Sequence, residues 1–328
     1  MKMSRKRKRT LAFFSVTVVF LEIIMSIFML NMTGFDTYES RITVDRERGE
    51  LHMSSDDARI LQLSDVQTAN LIECSIAYPT VKEVIRAANA DLIVLTGDNI
   101  SDGSGQIVLD TFIRFMDSFE LPWALVFGNH DRNSDVPMEE ISAALEKSEY
   151  CIFKTGALTD RYGNYSYKLM KDGEPVYQLV FMDSAKSGFT EEQVAWYENE
   201  VSTLTEETGR VVPGFAFFHI PIPETDAALK AYASGDATGS GRQVEEADVH
   251  DRDVGFFDAV KRLGSTTALF YGHDHRNNAA VLYDDVLFCY ALKTGITVYF
   301  ESDSLGGNLI TVHSDSTYEL DRIFYEIF

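Results

Sequence analysis

The sequence is poor in the residues that covalent cross-links and most metal sites require. Its 328 residues include only three cysteines and seven histidines. Cys74, Cys151 and Cys289 are odd in number, far apart and without a C-x-x-C pair, so they exclude a disulfide framework and fit small buried apolar side chains instead. We also find no internal period of about 20 to 50 residues, which excludes a repeat architecture.

Basic residues are scarce beyond the first few positions. Six of the 29 basic residues and one of the 51 acidic residues precede residue 31, so the remaining chain carries 23 basic and 50 acidic residues, a formal charge of −27. Binding to nucleic acid requires basic patches on the protein, and we therefore expect no nucleic-acid partner. This charge suits a solvated extracellular protein that binds cations.

The first 30 residues have the composition of a membrane anchor. The six Lys and Arg residues lie in a basic tail over residues 1–10, and an apolar run over residues 11–30 contains Glu22 as its single charged residue. About 20 apolar residues span a bilayer as a helix, and a strongly basic flank stays on the cytoplasmic side. We predict a single-pass transmembrane helix that places the rest of the chain on the extracytoplasmic side of the membrane.

A cleaved signal peptide is the alternative interpretation of this segment, and the chain would then be secreted. Signal peptides have a shorter apolar region that is followed by a small-residue cleavage site, and residues 31–36 offer no such site. Residues 31–57 are polar and charged without sustained periodicity. We interpret them as a stalk that precedes one domain over residues 58–328.

From residue 58 onward, short apolar runs alternate with stretches of helical periodicity. Continuous apolar runs are typical of parallel strands buried on both faces, and their alternation with helices predicts an α/β fold. The pair Asp172-Gly173 between two further runs predicts a β-hairpin. Residues 232–253, rich in Gly, Ser and Asp, are expected to form a long loop, a candidate lid. The apolar runs lie at residues 60–63, 91–96, 123–127, 214–218 and 267–271.

Side chains that bind divalent cations follow each of these apolar runs. Four of the seven histidines are among them. Loops at the carboxyl ends of strands converge on one crevice in an α/β sheet, so we expect one shared site. The segments are SDVQ (64–67), GDN (97–99), GNHD (128–131), FFHIP (217–221) and GHDH (272–275).

The residue types in these segments suit a pair of divalent cations. Asp98 is the expected bridge between the two ions. Taken alone, Asp65 is also compatible with a helix cap and His219 with a core histidine, but five such segments at five strand ends favour a metal centre. The other expected ligands are Asp65 and His275 for one ion, and Asn129, His219 and His273 for the other.

A two-cation centre can hydrolyse a phosphate ester. A hydroxide held between the ions would attack the phosphorus atom in line. His130 follows Asn129 directly and is expected to protonate the leaving oxygen, oriented by Asp131. Arg132 and Arg276 flank the motifs and are candidate phosphate-binding residues, although solvated surface charges explain them equally well.

The ordered set of motifs resembles the calcineurin-like metallophosphoesterases. In detail it is most similar to their purple-acid-phosphatase-like branch, through LTGDNI (95–100), FGNHD (127–131), FHIP (218–221) and GHDH (272–275). The resemblance implies a four-layer αββα sandwich of two mixed β-sheets flanked by helices. It also implies the same metal ligands, two divalent ions drawn from Mn, Fe, Zn or Mg, and a small phosphorylated substrate.

Two positions depart from the pattern of the family. The family usually has Asp-x-His in the first motif, where this chain has Asp65-Val66-Gln67, and the tyrosine of true purple enzymes is replaced by Ser101. The fourth ligand of the first ion is then Gln67, through its amide oxygen, or water. We expect weaker binding at that position and a preference for Mn or Mg over Zn.

Two alternatives to a phosphomonoesterase stay open. One is a phosphodiesterase, which differs mainly in what covers the site. The other, prompted by Gln67, is a non-catalytic metal-binding surface module. His130 favours an enzyme, because a binding module has no need of an acid for the leaving group. Nothing in the sequence identifies the physiological substrate or a protein partner.

Overall fold

The computed structural model describes residues 38–158, 161–250 and 252–326, which form two β-sheets with helices on their outer sides. The helices are α1 (Leu71–Ala88), α2 (Gln106–Asp117), α3 (Met138–Lys147), α4 (Glu191–Thr208), α5 (Glu224–Ser234) and α6 (Phe256–Leu263). The strands are β1 (Ile42–Asp45), β2 (Glu50–Met53), β3 (Asp57–Leu63), β4 (Leu92–Thr96), β5 (Trp123–Val126), β6 (Tyr165–Lys171), β7 (Glu174–Phe181), β8 (Gly214–Phe217), β9 (Thr238–Ser240), β10 (Thr266–Tyr271), β11 (Ala280–Tyr283), β12 (Val286–Tyr290), β13 (Gly306–His313) and β14 (Tyr318–Phe324).

Both sheets contain parallel and antiparallel strands. The larger sheet has the order β1-β2-β6-β7-β8-β10-β12-β11-β9, and the smaller has the order β14-β13-β3-β4-β5. The five apolar runs that precede the cation-binding segments are the parallel strands β3, β4 and β5 of the smaller sheet and β8 and β10 of the larger. The mixed α/β fold with two sheets and flanking helices is therefore confirmed.

Alternate residues of the larger sheet enter two different cores. Phe215 and Phe217 of β8 lie in the core that the two sheets share. Ala216 and Phe218, on the opposite face, lie in a second core with apolar residues of α4, α5 and α6. Helix α1 packs on β3, β13 and β14 of the smaller sheet. The face of each sheet that does not meet the other sheet is thus covered by helices, which accounts for the continuous apolar runs of the central strands.

Local sequence signals explain where several of these elements begin and end. Helix α4 starts with a capping box, in which Thr190 and Gln193 each bond to the backbone of the other, and ends at Gly209, whose φ of 68° is left-handed. The predicted hairpin is confirmed, because Asp172 and Gly173, at φ values of 52° and 88°, form the turn between β6 and β7.

The segment before residue 58 is more ordered than a stalk. Strand β1 pairs with β2, and β2 pairs in parallel with β6, so the prediction of a stalk is wrong for residues 42–53. Strands of four residues are too short to show a clear alternation, which is why the sequence pattern missed them. The carboxylate of Asp91 fixes this segment, since it accepts hydrogen bonds from the backbone and the guanidinium group of Arg41 and from the backbone N–H of Arg59.

Two other predictions concern the loop over residues 232–253 and the transmembrane helix. The loop expected over residues 232–253 is partly regular, because α5 extends to Ser234 and β9 pairs with β11 at the edge of the larger sheet. The predicted transmembrane helix over residues 11–30 lies outside the described residues. Within the described part of the chain, no helix is both long and apolar enough to cross a membrane.

Replacing Asp91 tests whether this buried carboxylate secures the N-terminal strands. Asp91→Ala leaves two backbone N–H groups and the Arg41 guanidinium without their acceptor, so we expect the free energy of unfolding to fall by about 3 kcal/mol. Urea unfolding of the purified protein, followed by tryptophan fluorescence, measures the loss. Asp56, an exposed carboxylate that pairs with Lys171, is the matched control, and Asp56→Ala should cost less than about 1 kcal/mol. Equal losses for the two variants would contradict the assignment.

Candidate metal centre

The five cation-binding segments meet where the two sheets adjoin. Each segment begins within a few residues of the end of its strand, and hydrogen bonds join neighbouring segments. The backbone N–H of Asp65 donates to the carbonyl of Gly97 (3.0 Å) in the smaller sheet, and that of Gly272 donates to the carbonyl of His219 (3.1 Å) in the larger. His219 joins the sheets, because its Nδ1 lies 2.8 Å from the Thr96 carbonyl. The convergence expected from the strand ends is present.

Two groups of three side chains in these segments are spaced to hold a divalent cation. Asp98, His219 and His273 form one group, and Asp65, Asp98 and His275 form the other; the ligand atoms of each group lie within 4.8 Å of one another. Asp98 belongs to both groups, as the residue types predict for a bridge. In the order used above, the first cation position is the group with Asp65 and His275, and the second is the group with His219 and His273.

Unpaired polar atoms indicate that these residues fit a pair of cations. Asp65 Oδ1, Asn129 Oδ1 and His219 Nε2 are buried and have no hydrogen-bond partner. Buried polar atoms almost always have one, and all three belong to residues expected to bind metal. His219 Nε2 lies 3.3 Å from Asp98 Oδ2 without the geometry of a hydrogen bond. Bound cations would satisfy these atoms.

In each of the three imidazoles of the two groups, one ring nitrogen contacts an oxygen atom of the chain, and this contact orients the other nitrogen toward a cation position. A metal-binding histidine commonly donates its remaining N–H to a carbonyl or carboxylate oxygen, and this fixes the tautomer. His219 and His275 are thereby set to offer Nε2 to a cation, and His273 is set to offer Nδ1. The contacts are His219 Nδ1 to the Thr96 carbonyl (2.8 Å), His275 Nδ1 to the Tyr299 carbonyl (3.2 Å) and His273 Nε2 to an oxygen of Asp248 (3.1 Å).

The charges of the site favour ionised carboxylates. Burial alone would raise the pKa of Asp65, but the adjacent His275 and His219 hold it well below its usual range. Burial would also raise the pKa of Asp98, but the adjacent His219 outweighs the effect of burial. The pKa of Asp98 is therefore lowered as well. In return, Asp98 overcomes the effect of burial on His219 and raises the pKa of that imidazole to about 10. A cation must therefore displace a proton from His219, and its affinity should rise with pH.

Sharp turns at the strand ends bring these side chains into the crevice. Asp65, Asp98 and His273 all have left-handed φ values, of 57°, 52° and 75°, which cost free energy in a residue with a Cβ and cluster at functional sites. Gly128 lets the next segment approach, because a Cβ atom there would lie 2.0 Å from Asp98 Oδ1. The glycine is thus required by the position of the bridging carboxylate.

His130 lies beside the two groups and is oriented by a residue that the sequence analysis missed. Its Nδ1 lies 2.8 Å from Asp102 Oδ1, its backbone N–H donates to Asp98 Oδ1 (2.8 Å), and its Nε2 lies 4.0 Å from Asp98 Oδ2. The ring is half-exposed, so Nε2 can reach a bound molecule. Asp102 lies four residues after Asp98 in the same loop, and that proximity is the only signal that the sequence offers.

The prediction that Asp131 orients His130 is wrong. The carboxylate of Asp131 is buried and accepts hydrogen bonds from the backbone N–H groups of Gly128, Asn99 and Ile100. It therefore joins the loop after β5 to the loop after β4. This role is structural, and it holds Asn129 and Asp98 in register with each other.

Both candidate phosphate-binding arginines have carboxylate partners within the chain. Arg132 forms an ion pair with Asp183, which is fully buried. Arg276 Nε lies 2.5 Å from Glu301 Oε1. These pairs account for the placement of both guanidinium groups without a substrate.

Gln67 is held between the bridging carboxylate and a lysine that the motifs did not reveal. Its Oε1 accepts a hydrogen bond from Lys293 Nζ (3.0 Å), and its Nε2 donates to Asp98 Oδ2 (3.3 Å). Burial lowers the pKa of Lys293 to about 8, with Asp65 and Asp98 opposing the shift. Gln67 and water were the two candidates for the fourth ligand of the first cation, and the amide oxygen of Gln67 is directed at Lys293.

Comparison with known proteins gives a consistent result. Residues 58–277 match the Calcineurin-like phosphoesterase family. The chain is 26% identical to a protein named "Probable inactive purple acid phosphatase 29" of Arabidopsis thaliana, covering 79% of this chain and 78% of that protein. It is also 26% identical to the phosphatase DCR2 of Saccharomyces cerevisiae, covering 71% of this chain and 47% of that protein.

Among solved structures, a dimetal phosphatase from Danio rerio superposes on the chain with a TM-score of 0.50 at 14% identity, covering 82% of this chain and 99% of the other. At that identity the likeness shows a shared fold.

A methyl group at Gly128 tests whether the centre binds cations as one unit. Gly128→Ala would push Asp98 out of both groups, so we expect the protein to lose both cations, which is measured as bound Mn²⁺ per chain after equilibrium dialysis. Gly105 has no atom within 4 Å of the added Cβ, and Gly105→Ala should bind as the wild type does. Full cation binding by a folded Gly128→Ala variant would refute the shared bridge.

Proposed function

The chain belongs to the calcineurin-like phosphoesterase family, and on that premise we propose that it hydrolyses a phosphate ester with the help of two divalent cations. The predicted resemblance to this family is confirmed, and purple acid phosphatases are among the named relatives. A small phosphorylated molecule is the proposed substrate, and the identities of the two cations are part of what the experiments below measure.

One observation carries the proposal: an imidazole with its own carboxylate partner, His130, stands beside the two cation positions. The two groups that share Asp98 would bind the cations, and the adjacent His130–Asp102 pair would supply the acid for the leaving oxygen. A module that only binds cations has no use for an imidazole with its own carboxylate partner. The unpaired buried atoms of Asp65, Asn129 and His219 support cation binding independently.

The residues of the site have different proposed roles in binding the cations and in proton transfer. Two divalent cations, when bound, would polarise a phosphate ester and lower the pKa of water near the phosphorus. Asp98 sets the positions of both, while His219 and His275 present Nε2 toward them. His130 keeps Nδ1 on Asp102, which orients the ring and leaves Nε2 to give its proton to the departing oxygen.

A non-catalytic cation-binding module is the alternative, and a specific observation favours it. Gln67, where the family usually has a histidine ligand, is engaged by Lys293 instead of facing a cation. Relatives of both kinds are named, one a phosphatase and another a probable inactive enzyme, so activity does not follow from likeness alone. The two functions differ in what His130 is expected to do.

Removal of the His130 side chain tests the proposed function. The metal-stripped protein is given Mn, Fe, Zn or Mg, and hydrolysis of p-nitrophenyl phosphate and of bis-p-nitrophenyl phosphate is measured. We expect a metal-dependent kcat that His130→Ala lowers by at least about 100-fold, and that Asp102→Ala lowers by about tenfold through loss of orientation. The preferred ester distinguishes a phosphomonoesterase from a phosphodiesterase.

The chain contains a matched control for this pair. His313 Nδ1 lies 2.7 Å from Asp57 Oδ1 at the far end of β13, so it is a histidine–aspartate contact away from the site. His313→Ala should leave kcat unchanged. If the folded protein binds cations but hydrolyses neither ester, or if His130→Ala is as active as His313→Ala, the non-catalytic module becomes the better assignment.

We also propose that the phosphoesterase domain works on the extracytoplasmic side of a membrane, joined to it by residues 11–30. The basic tail, the apolar run and the acidity of the remaining chain support this placement. Fusion of the full chain to a C-terminal alkaline phosphatase or a C-terminal green fluorescent protein in bacterial cells tests it. We expect an active alkaline phosphatase, a dark fluorescent protein and an uncleaved N-terminus by mass. A bright fluorescent protein would reverse the orientation, and a shortened N-terminus would show secretion.

A further inference from the structure

Lys293 places a buried positive charge next to the first cation position. The side chain is only 2% exposed, and Nζ donates hydrogen bonds to the backbone carbonyl of Asp65 (2.8 Å) and to Gln67 Oε1 (3.0 Å). Asp65 is one of the three residues of the first cation group, and Gln67 occupies the position of its expected fourth ligand. No other residue of the described chain places an ammonium group on either of these two residues.

The backbone around Lys293 fixes this arrangement. The segment after β12 lies along the loop that carries Asp65, and the N–H groups of Thr294 and Gly295 donate to the carbonyls of Ser64 (2.9 Å) and Asp65 (3.2 Å). The two segments are so close that a Cβ atom at Gly295 would lie 2.1 Å from the Val66 carbonyl oxygen. Lys293 therefore has little freedom to leave Gln67.

Lys293 also determines which end of the Gln67 amide faces the cation group. A lysine ammonium can only donate hydrogen bonds, so it requires the oxygen end of the amide. The nitrogen end, which carries two N–H donors and has no lone pair for a metal, then points to Asp98. Reversing the amide would set N–H groups against the ammonium. In this orientation Gln67 presents its N–H donors, and not its oxygen, to the cation group.

We propose that Lys293 and Gln67 together make the two cation positions unequal. The first position keeps only Asp65, Asp98 and His275 as protein ligands and has the amino group of Lys293 beside it, whereas Asn129, His219 and His273 complete the second position around the shared Asp98. The second position fills first, and the first position exchanges its ion readily. This inference rests on the proposed function, because it concerns the same pair of cations.

Manganese binding by the full-length protein tests the inequality without measuring activity. The metal-stripped protein is titrated with Mn²⁺, bound ion is counted by equilibrium dialysis, and electron paramagnetic resonance distinguishes a single Mn²⁺ from a magnetically coupled pair. We expect one ion to bind at least about tenfold more tightly than the second, with the coupled signal appearing only as the second ion binds. The tight ion should be lost in His219→Ala, and the weak ion in His275→Ala.

Restoring the histidine of the family shows whether Lys293 is the cause. In Gln67→His, the new imidazole faces the ammonium, and we expect the gap between the two dissociation constants to persist. Adding Lys293→Met removes that charge, so the double variant should bring the two constants within about threefold of each other. Lys168→Met is the control, because Lys168 pairs with Glu50 near the N-terminal strands, and it should leave both constants unchanged.

A second variant keeps the test decisive if Lys293→Met fails to fold. Gln67→Leu removes the amide and retains the lysine, and it should change the weak constant by less than about threefold, since no ligand oxygen is lost. A tenfold weakening would identify Gln67 as a ligand and overturn the inference. Equal constants in the wild type, or a gap closed by Gln67→His alone, would also overturn it while leaving metal-dependent hydrolysis intact. Absence of any bound Mn²⁺ would overturn both this inference and the proposed function.

Discussion

The negative charge of two buried carboxylates, Asp65 and Asp98, is the constraint on which the rest of the site depends. Asp65 is 2% exposed and Asp98 is 1% exposed. A buried carboxylate is costly unless a positive charge or several hydrogen bonds compensate it. The structure surrounds these two with His219, His275 and Lys293. The left-handed turns and the close approach of Gly128 are the backbone features that bring these charges together.

The sequence predicted the parts of the site that depend on local pattern. Continuous apolar runs identified the parallel strands, and the residues that follow them, such as Asp98 and His219, converge because parallel strands end at the same edge of a sheet. Gln67 was recognised as a departure from the family for the same reason, since the motif that contains it is short and contiguous. Short-range pattern was thus sufficient for the α/β alternation and for the convergence of the cation-binding segments, whereas the two-sheet arrangement was expected from the family resemblance.

Contacts between distant segments were beyond such reasoning. Lys293 lies 226 positions from Gln67 in the chain, in a segment without any motif, and only the packing of that segment against the first loop brings the two together. Asp102 was missed and Asp131 was given its role, because adjacency to His130 in sequence was taken as adjacency in space. In a tight loop the next side chain points elsewhere, and Asp131 is directed at backbone N–H groups instead. The four-residue strands β1 and β2 were missed for a different reason, because an alternating pattern of that length is a weak signal.

Protons, cations and Lys293 are three different ways of compensating the same carboxylates. Without cations, a proton on His219 does so, which is why Asp98 raises the pKa of that imidazole. A cation at the second position would replace this proton, because an imidazole that gives up its proton can bind the cation through the same nitrogen. Lys293 is different, since its ammonium never offers a lone pair to the cation while it donates to Gln67 and Asp65. In one half of the centre a cation can thus take the place of the proton on the same imidazole nitrogen, whereas in the other half the nitrogen of Lys293 faces Gln67 and Asp65 and is not a cation ligand. On this proposal, the two cation positions become alike only when an imidazole replaces Gln67 and the ammonium group of Lys293 is removed as well.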